Sequence, residues 1–163
     1  QYGVVPDILC TAKAFGGGMP LGAFIAPNRI MSSLKTNPVV GHITTFGGHP
    51  VCCAAGLAAL EFILSEGLME QADAKGAQYE RRLVGHPAVR EIRRTGLLMG
   101  VEFGDPALTQ RIVLRAVERG LMTEWFLFRD TAMRIAPPLT ITPAEIDESC
   151  DILLDVLREV TGS

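Results

Sequence analysis

The sequence predicts an α/β chain in two parts. A partial α/β layer occupies residues 1–66 and a small α+β unit residues 86–163, with a connecting helix over 67–85 between them. Three observations predict this. Short apolar runs alternate with glycine-rich turns before a proline-started, almost wholly apolar helix. The pattern changes at "GHPAV", after which strand-like runs take over. A capped amphipathic helix then closes the chain.

Each element has a local reason. "DILCTA" (7–12) follows Pro6 and reads as a short buried strand; "GAFIA" (22–26) reads as a second, after the glycines. The stretch from Pro27 to Pro38 is turn-rich, with room for one helical turn. Pro50 suits a first helical position. The helix it opens is small or apolar nearly all round, which predicts burial on several sides, and Gly67 is its stop. "LMEQADAKGAQYERRL" places Leu68, Ala72, Tyr79 and Leu83 on one stripe. "EIRRTGLLMGVEF" and "GLMTEWFLF" are strand-like, and they flank a helix capped by Asp105, begun by Pro106 and stopped by Gly120. "TAMRIAPPL" is a last extended piece, so the unit reads strand, helix, strand, strand, helix. Thr142 and Glu145 frame a capping box, with Ile146, Cys150, Leu153, Leu154 and Leu157 as the buried stripe behind it.

The chain has 163 residues, 48% of them hydrophobic and 20% charged, with a formal net charge of −3. That balance supports a core and carries no nucleic-acid footprint or polybasic membrane patch. The apolar runs are interrupted before membrane-spanning length, and no signal peptide is evident. Cys10, Cys52, Cys53 and Cys150 form no Cys-x-x-Cys pair, and His42, His49 and His86 lie far apart, so a zinc site is not expected. The cysteines sit among Ala, Leu and Ile and read as small buried hydrophobes in a reducing, cytoplasmic setting.

The stretch "ILCTAKAFGGGMPLGAF" sets one lysine between an apolar strand and three consecutive glycines. A Walker-type phosphate loop needs its lysine after the glycines, and a dinucleotide fingerprint fails because Leu21 stands where the third glycine belongs. What remains is a Schiff-base lysine. At the end of a buried strand, Lys13 would lose solvation and offer a free amine, while the glycines let the backbone approach a bulky cofactor. Set against this, a lysine is ordinarily a solvated surface group.

The wider words bear on that choice. "PDILCTAKAFGGGMPLGAFIA" resembles the lysine segment of the class III (ornithine-aminotransferase-like) pyridoxal-phosphate enzymes. "GHITTFGGHP" resembles the loop that follows it in that family, and "MRIAPPLTIT" the C-terminal arginine segment. The resemblance implies the C-terminal part of a fold-type I transferase. It also implies pyridoxal 5'-phosphate on Lys13, which acts first as nucleophile and then as general acid/base. Thr44 and Thr45 precede glycines and a helix start, a setting that suits a phosphate and equally an ordinary turn. The resemblance implies that they, Thr45 especially, reach the cofactor phosphate of a neighbouring subunit, so that the site is completed in a homodimer. His49 stands where many relatives have Asn and reads as a loop-shaping position.

Arg134, between Met133 and Ile135, needs an anionic partner. Its fork fits an internal Asp or Glu as well as a substrate carboxylate; the resemblance implies the α-carboxylate of an amino or 2-oxo acid. Trp125, Phe126 and Phe128 read as core. The implied activity is transamination between an ornithine-, acetylornithine- or 4-aminobutyrate-like donor and a 2-oxo acid such as 2-oxoglutarate. An aminomutase, or a non-catalytic piece that packs or dimerises, are the alternatives. The words for the same-subunit phosphate loop, the ring-stacking aromatic and the aspartate on the pyridine nitrogen do not occur here. The expectation is therefore a fragment, inactive alone, of a parent enzyme.

Overall fold

The computed structural model describes residues 3–39 and 41–162. It divides into two compact units, one through Glu66 and the other from Gly67.

In the first unit β1 (Leu9–Thr11) pairs antiparallel with β2 (Ala23–Ile25), Cys10 opposite Phe24. Between them the chain makes a 3-10 turn over Lys13–Gly16, closed by Gly17 in the left-handed region. α1 (Asn28–Met31) is the expected single helical turn, extended by a 3-10 turn over Ser32–Leu34. α2 (Pro50–Ser65) starts at the proline and lies against the lysine turn. Two glycines allow that approach. A Cβ on Gly17 would come within 2.4 Å of the Ala55 carbonyl oxygen, and one on Gly56 within 2.7 Å of Leu21 Cδ2.

β1, β2 and α2 are apolar in sequence but largely exposed in the structure. Phe24 and Ile25 are half exposed, as are Leu57, Phe62 and Leu64; of α2 only Cys52 and Gly56 are buried. A two-stranded ribbon has two open edges and cannot cover both its own faces and a helix. The cysteines divide likewise: Cys52 and Cys150 are buried, Cys10 and Cys53 exposed.

The second unit is built on an antiparallel sheet of four strands in the order β3-β4-β6-β5. β3 (Glu91–Thr95) and β4 (Leu98–Glu102) form a hairpin where one strand-like run was expected. The reason is Gly96, at φ +56, which reverses the chain. β5 (Glu124–Phe126) and β6 (Arg129–Ile135) form a second hairpin whose register shifts after Trp125. Phe128, expected in the core, stands fully exposed at its tip, because the turn carries it off the sheet.

α3 (Leu68–Leu83), α4 (Pro106–Glu118) and α5 (Pro143–Thr161) supply the helical layer. Asp105 accepts from the Leu108 amide at 2.7 Å, and Thr142 with Glu145 completes the capping box. α3 packs on α5 within this unit. Tyr79 Oη lies 2.8 Å from Ser149 Oγ, and Arg82 pairs with Asp147 at 2.6 Å. The core joins Tyr79 and Leu83 to Met99, Val101 and Phe103, to Ile112 and Met133, and to Ile146, Leu153, Val156 and Leu157. Burial drives the Cys150 thiol up to about 12, leaving it an inert hydrophobe.

Candidate active site

Lys13 follows β1 directly. Ala12 is fully extended, and Lys13 then turns to φ +57, in the left-handed region that a residue with a Cβ seldom occupies. Among the described residues the only other non-glycine residue in that region is Asn37. This reversal ends the strand at the lysine and projects its side chain from the turn that Gly17 seats against α2. The desolvated lysine of the sequence reading is corrected here. The residue is exposed, with no hydrogen bond or ion pair among the described residues. The ribbon that carries it is too small to bury it.

The same unit presents the threonine loop. Thr44 and Thr45 are exposed, and Gly48 takes φ +71 just before α2. A Cβ on Gly47 would come within 2.3 Å of Thr44 Oγ1, so that glycine keeps a hollow in which the hydroxyl lies. His49 is the N-cap residue, but its side chain makes no capping bond; its carbonyl accepts from Cys53 at 3.0 Å. The first-turn amides of α2 therefore remain available to an anion. The unpaired amine of Lys13 fits the aldehyde of pyridoxal phosphate, and the hydroxyls of Thr44 and Thr45 with the first-turn amides fit a phosphate, as two separate sets among the described residues. No hydrogen bond joins Lys13 to Thr44 or Thr45 among the described residues.

In the second unit Arg134 lies on β6, opposite Gly100 of β4 and Glu124 of β5. It forms an ion pair with Glu124, and its carbonyl accepts from Thr123 Oγ1 at 2.6 Å. Both side chains of the pair are about half exposed, at 43% and 55%. Glu124 was not singled out in the sequence; its signal was an acid beginning an aromatic strand, two residues before Phe126.

The strand that carries Arg134 is anchored by a second acid the sequence reading passed over, Glu102, whose side chain is only 5% exposed. Its carboxylate accepts from Arg93 at 3.0 Å, from Arg129 at 2.8 Å and from the Gly104 amide at 3.0 Å. Burial opposes its charge. The nearby Thr131 hydroxyl, the two guanidinium groups and the amide outweigh that, and hold the carboxyl down at about 2. Among the described residues the Thr131 hydroxyl is itself buried and meets no partner in strict hydrogen-bond geometry.

The chain belongs to the class III aminotransferases: the model of that family, "Aminotransferase class-III", matches residues 1–157. It is 41% identical to the acetylornithine aminotransferase of Caldanaerobacter subterraneus, over 98% of this chain and 40% of that protein. It is 37% identical to the putrescine aminotransferase of Pectobacterium atrosepticum, over 100% of this chain and 36% of that one. The ornithine aminotransferase of Toxoplasma gondii, a structure with partial occupancy of pyridoxal phosphate at its active site, superposes with a TM-score of 0.83 and 32% identity, over 98% of this chain and 38% of that one. The chain thus spans about two fifths of the length of the relatives it matches, and its fold is the corresponding part of a fold-type I pyridoxal-phosphate transaminase.

Proposed function

We propose that this chain carries the lysine and the carboxylate-binding arginine of a pyridoxal-phosphate aminotransferase site. The observation that carries the reading is Lys13. It has an unpaired amine at a backbone reversal directly after a strand, inside a segment that matches the family. Its Nζ would hold the cofactor aldehyde and, when free, would take the proton from the substrate α-carbon. Bound pyridoxal phosphate supplies the electron sink for that carbanionic charge. Thr44, Thr45 and the first-turn amides of α2 hold a phosphate, in a neighbouring subunit of a homodimer. Arg134 orients the substrate through its carboxylate. The substrate class is an amino acid of the ornithine, acetylornithine or 4-aminobutyrate kind, with a 2-oxo acid such as 2-oxoglutarate as acceptor.

The test is the visible spectrum of the chain mixed with pyridoxal phosphate, followed by borohydride reduction and peptide mapping, for the wild type and Lys13→Ala. Reduction trapped on Lys13, and lost in Lys13→Ala at an unchanged far-ultraviolet dichroism spectrum, is the expected result. Labelling scattered over surface lysines and equal in both proteins refutes the assignment of Lys13.

A further inference from the structure

The face of the second sheet turned away from the helices carries an aromatic ring. Met99, Val101 and Met133 point to the helices and belong to the core. The residues that alternate with them, Gly100, Glu102, Ala132 and Arg134, therefore belong to the opposite face. Across the strands one row of that face reads Arg93, Gly100, Arg134, Glu124, each residue opposite the next. A Cβ on Gly100 would come within 3.2 Å of Phe126 Cε2 and 3.8 Å of its Cζ. Phe126 stands on β5 and Gly100 on β4, with β6 running between them. The ring thus reaches across β6 and settles in the gap that a glycine leaves in the row. Ala132, the small residue of β6 opposite Glu102, is buried on the same face, so the sheet is covered there. The register shift after Trp125 is the local device that aims the Phe126 side chain. Beyond the ring lies a hollow of about 550 Å³, whose walls include Arg93, Thr95, Leu98, Gly100, Phe126 and Arg129. In the row, Arg134 lies on the other side of Gly100 from Arg93, and its guanidinium turns toward Glu124 on β5. Phe126 stands between that hollow and Arg134.

We propose that Phe126 is a specificity-determining residue: its ring is a partition that keeps a substrate held by Arg134 out of the hollow on the Arg93 side. A molecule whose carboxylate sits on Arg134 meets a flat apolar wall toward β4. A slender carbon chain passes beside that wall, whereas a bulky group directed across the row toward Arg93 finds the ring in its place. Gly100 is part of the device, since a side chain there would press on the ring that seats against it. This rests on the assignment of Arg134 to the substrate carboxylate. It deepens that assignment by naming which carboxylates the site accepts.

The test is a titration of pyruvate and of phenylpyruvate, which share the carboxylate end and differ by one ring, into the chain, followed by the backbone amide shifts of residues 100 and 134. It is run for the wild type, Phe126→Ala, Phe126→Leu and Arg134→Gln, with the amides of Val101 and Met133 as the check that the core is unchanged. The quantity read is the ratio of the two dissociation constants. Phe126→Ala should shift that ratio toward phenylpyruvate by about five-fold or more, and Phe126→Leu by less. Where Phe126→Ala disturbs the core amides, Phe126→Leu carries the comparison. A ratio that keeps its wild-type value in both variants, while Arg134→Gln loses both ligands, overturns the partition role alone and makes Phe126 a cover for the sheet. Binding that survives in Arg134→Gln, or is absent from the wild type, overturns the carboxylate assignment itself and the partition with it.

Discussion

The two units of this chain divide the work of being folded from the work of carrying chemistry. The unit from Gly67 onward closes a core of its own, in which Leu83, Val101, Ile112, Met133 and Leu157 are wholly removed from water. Among the described residues of the unit through Glu66 the one buried apolar side chain is the small Cys52, and Val5, Ile43 and Phe46 are more than three-quarters exposed. Yet the second, self-supporting unit holds only Arg134 of the proposed site residues, and the first holds Lys13, Thr44 and Thr45. The chain spans about two fifths of its relatives' length, so the exposure of the first unit reflects how little is present to cover it, and the Lys13 turn is held here by local steric fit, Gly17 against Ala55.

Matched substitutions break or sharpen this comparison. Leu157→Ala, in the second unit, should cost about 2–5 kcal/mol in denaturant unfolding, because it opens a cavity among residues that cannot collapse. Glu102→Ala should cost about 1–3 kcal/mol or more by leaving Arg93 and Arg129 without their buried acceptor. The same acid gives the second unit a pH signature. Its carboxyl is held at about 2, below its ordinary value of 4.5, so the unfolded chain takes up the proton first. The stabilisation is complete above about pH 4.5, declines as the pH falls and is gone below about 2, amounting to at most roughly 3 kcal/mol before screening at the half-exposed arginines reduces it. Thermal midpoints measured from pH 6 to 2 should fall more steeply for the wild type than for Glu102→Gln. Thr142→Ala, which removes one cap of α5, should cost about 1 kcal/mol by the same unfolding measurement. Phe62→Ala, in the first unit, should shift stability by no more than about 0.5 kcal/mol, since its ring is already half in water. A Phe62 variant as damaging as Leu157→Ala would erase the contrast.

What was legible in the sequence follows the same line. Helix boundaries were readable because they rest on local chemistry: Pro50, Asp105 with Pro106, and Thr142 with Glu145 each mark an observed start. The α5 stripe was readable because periodicity needs no partner to be seen, although Val156 takes a core place that the stripe reading gave to the half-buried Leu154. The hairpin at Gly96 was hidden by the continuity of the apolar run on either side of it. The exposure of β1, β2 and α2 has a more general reason: apolar composition states what a segment can bury, and strands that lack sheet partners expose their edges and faces. At the site, Lys13 and Arg134 stood out as charges in apolar surroundings. Glu124 and Glu102 did not, because their significance lies in register. Cross-strand opposition puts Glu124 beside Arg134, and the pairing of β4 with β6 brings Arg129 to Glu102.

The contrast between the units is tested most directly by native-state amide hydrogen exchange on the whole chain. Amides of β4, the middle of α4 and residues 150–157 of α5 should exchange only through global opening, while those of β1, β2 and the lysine turn should exchange orders of magnitude faster. Equal protection across β1, β2 and the core of the second unit would contradict the account. It would mean that the turn presenting Lys13 is held by the same cooperative structure as Leu157.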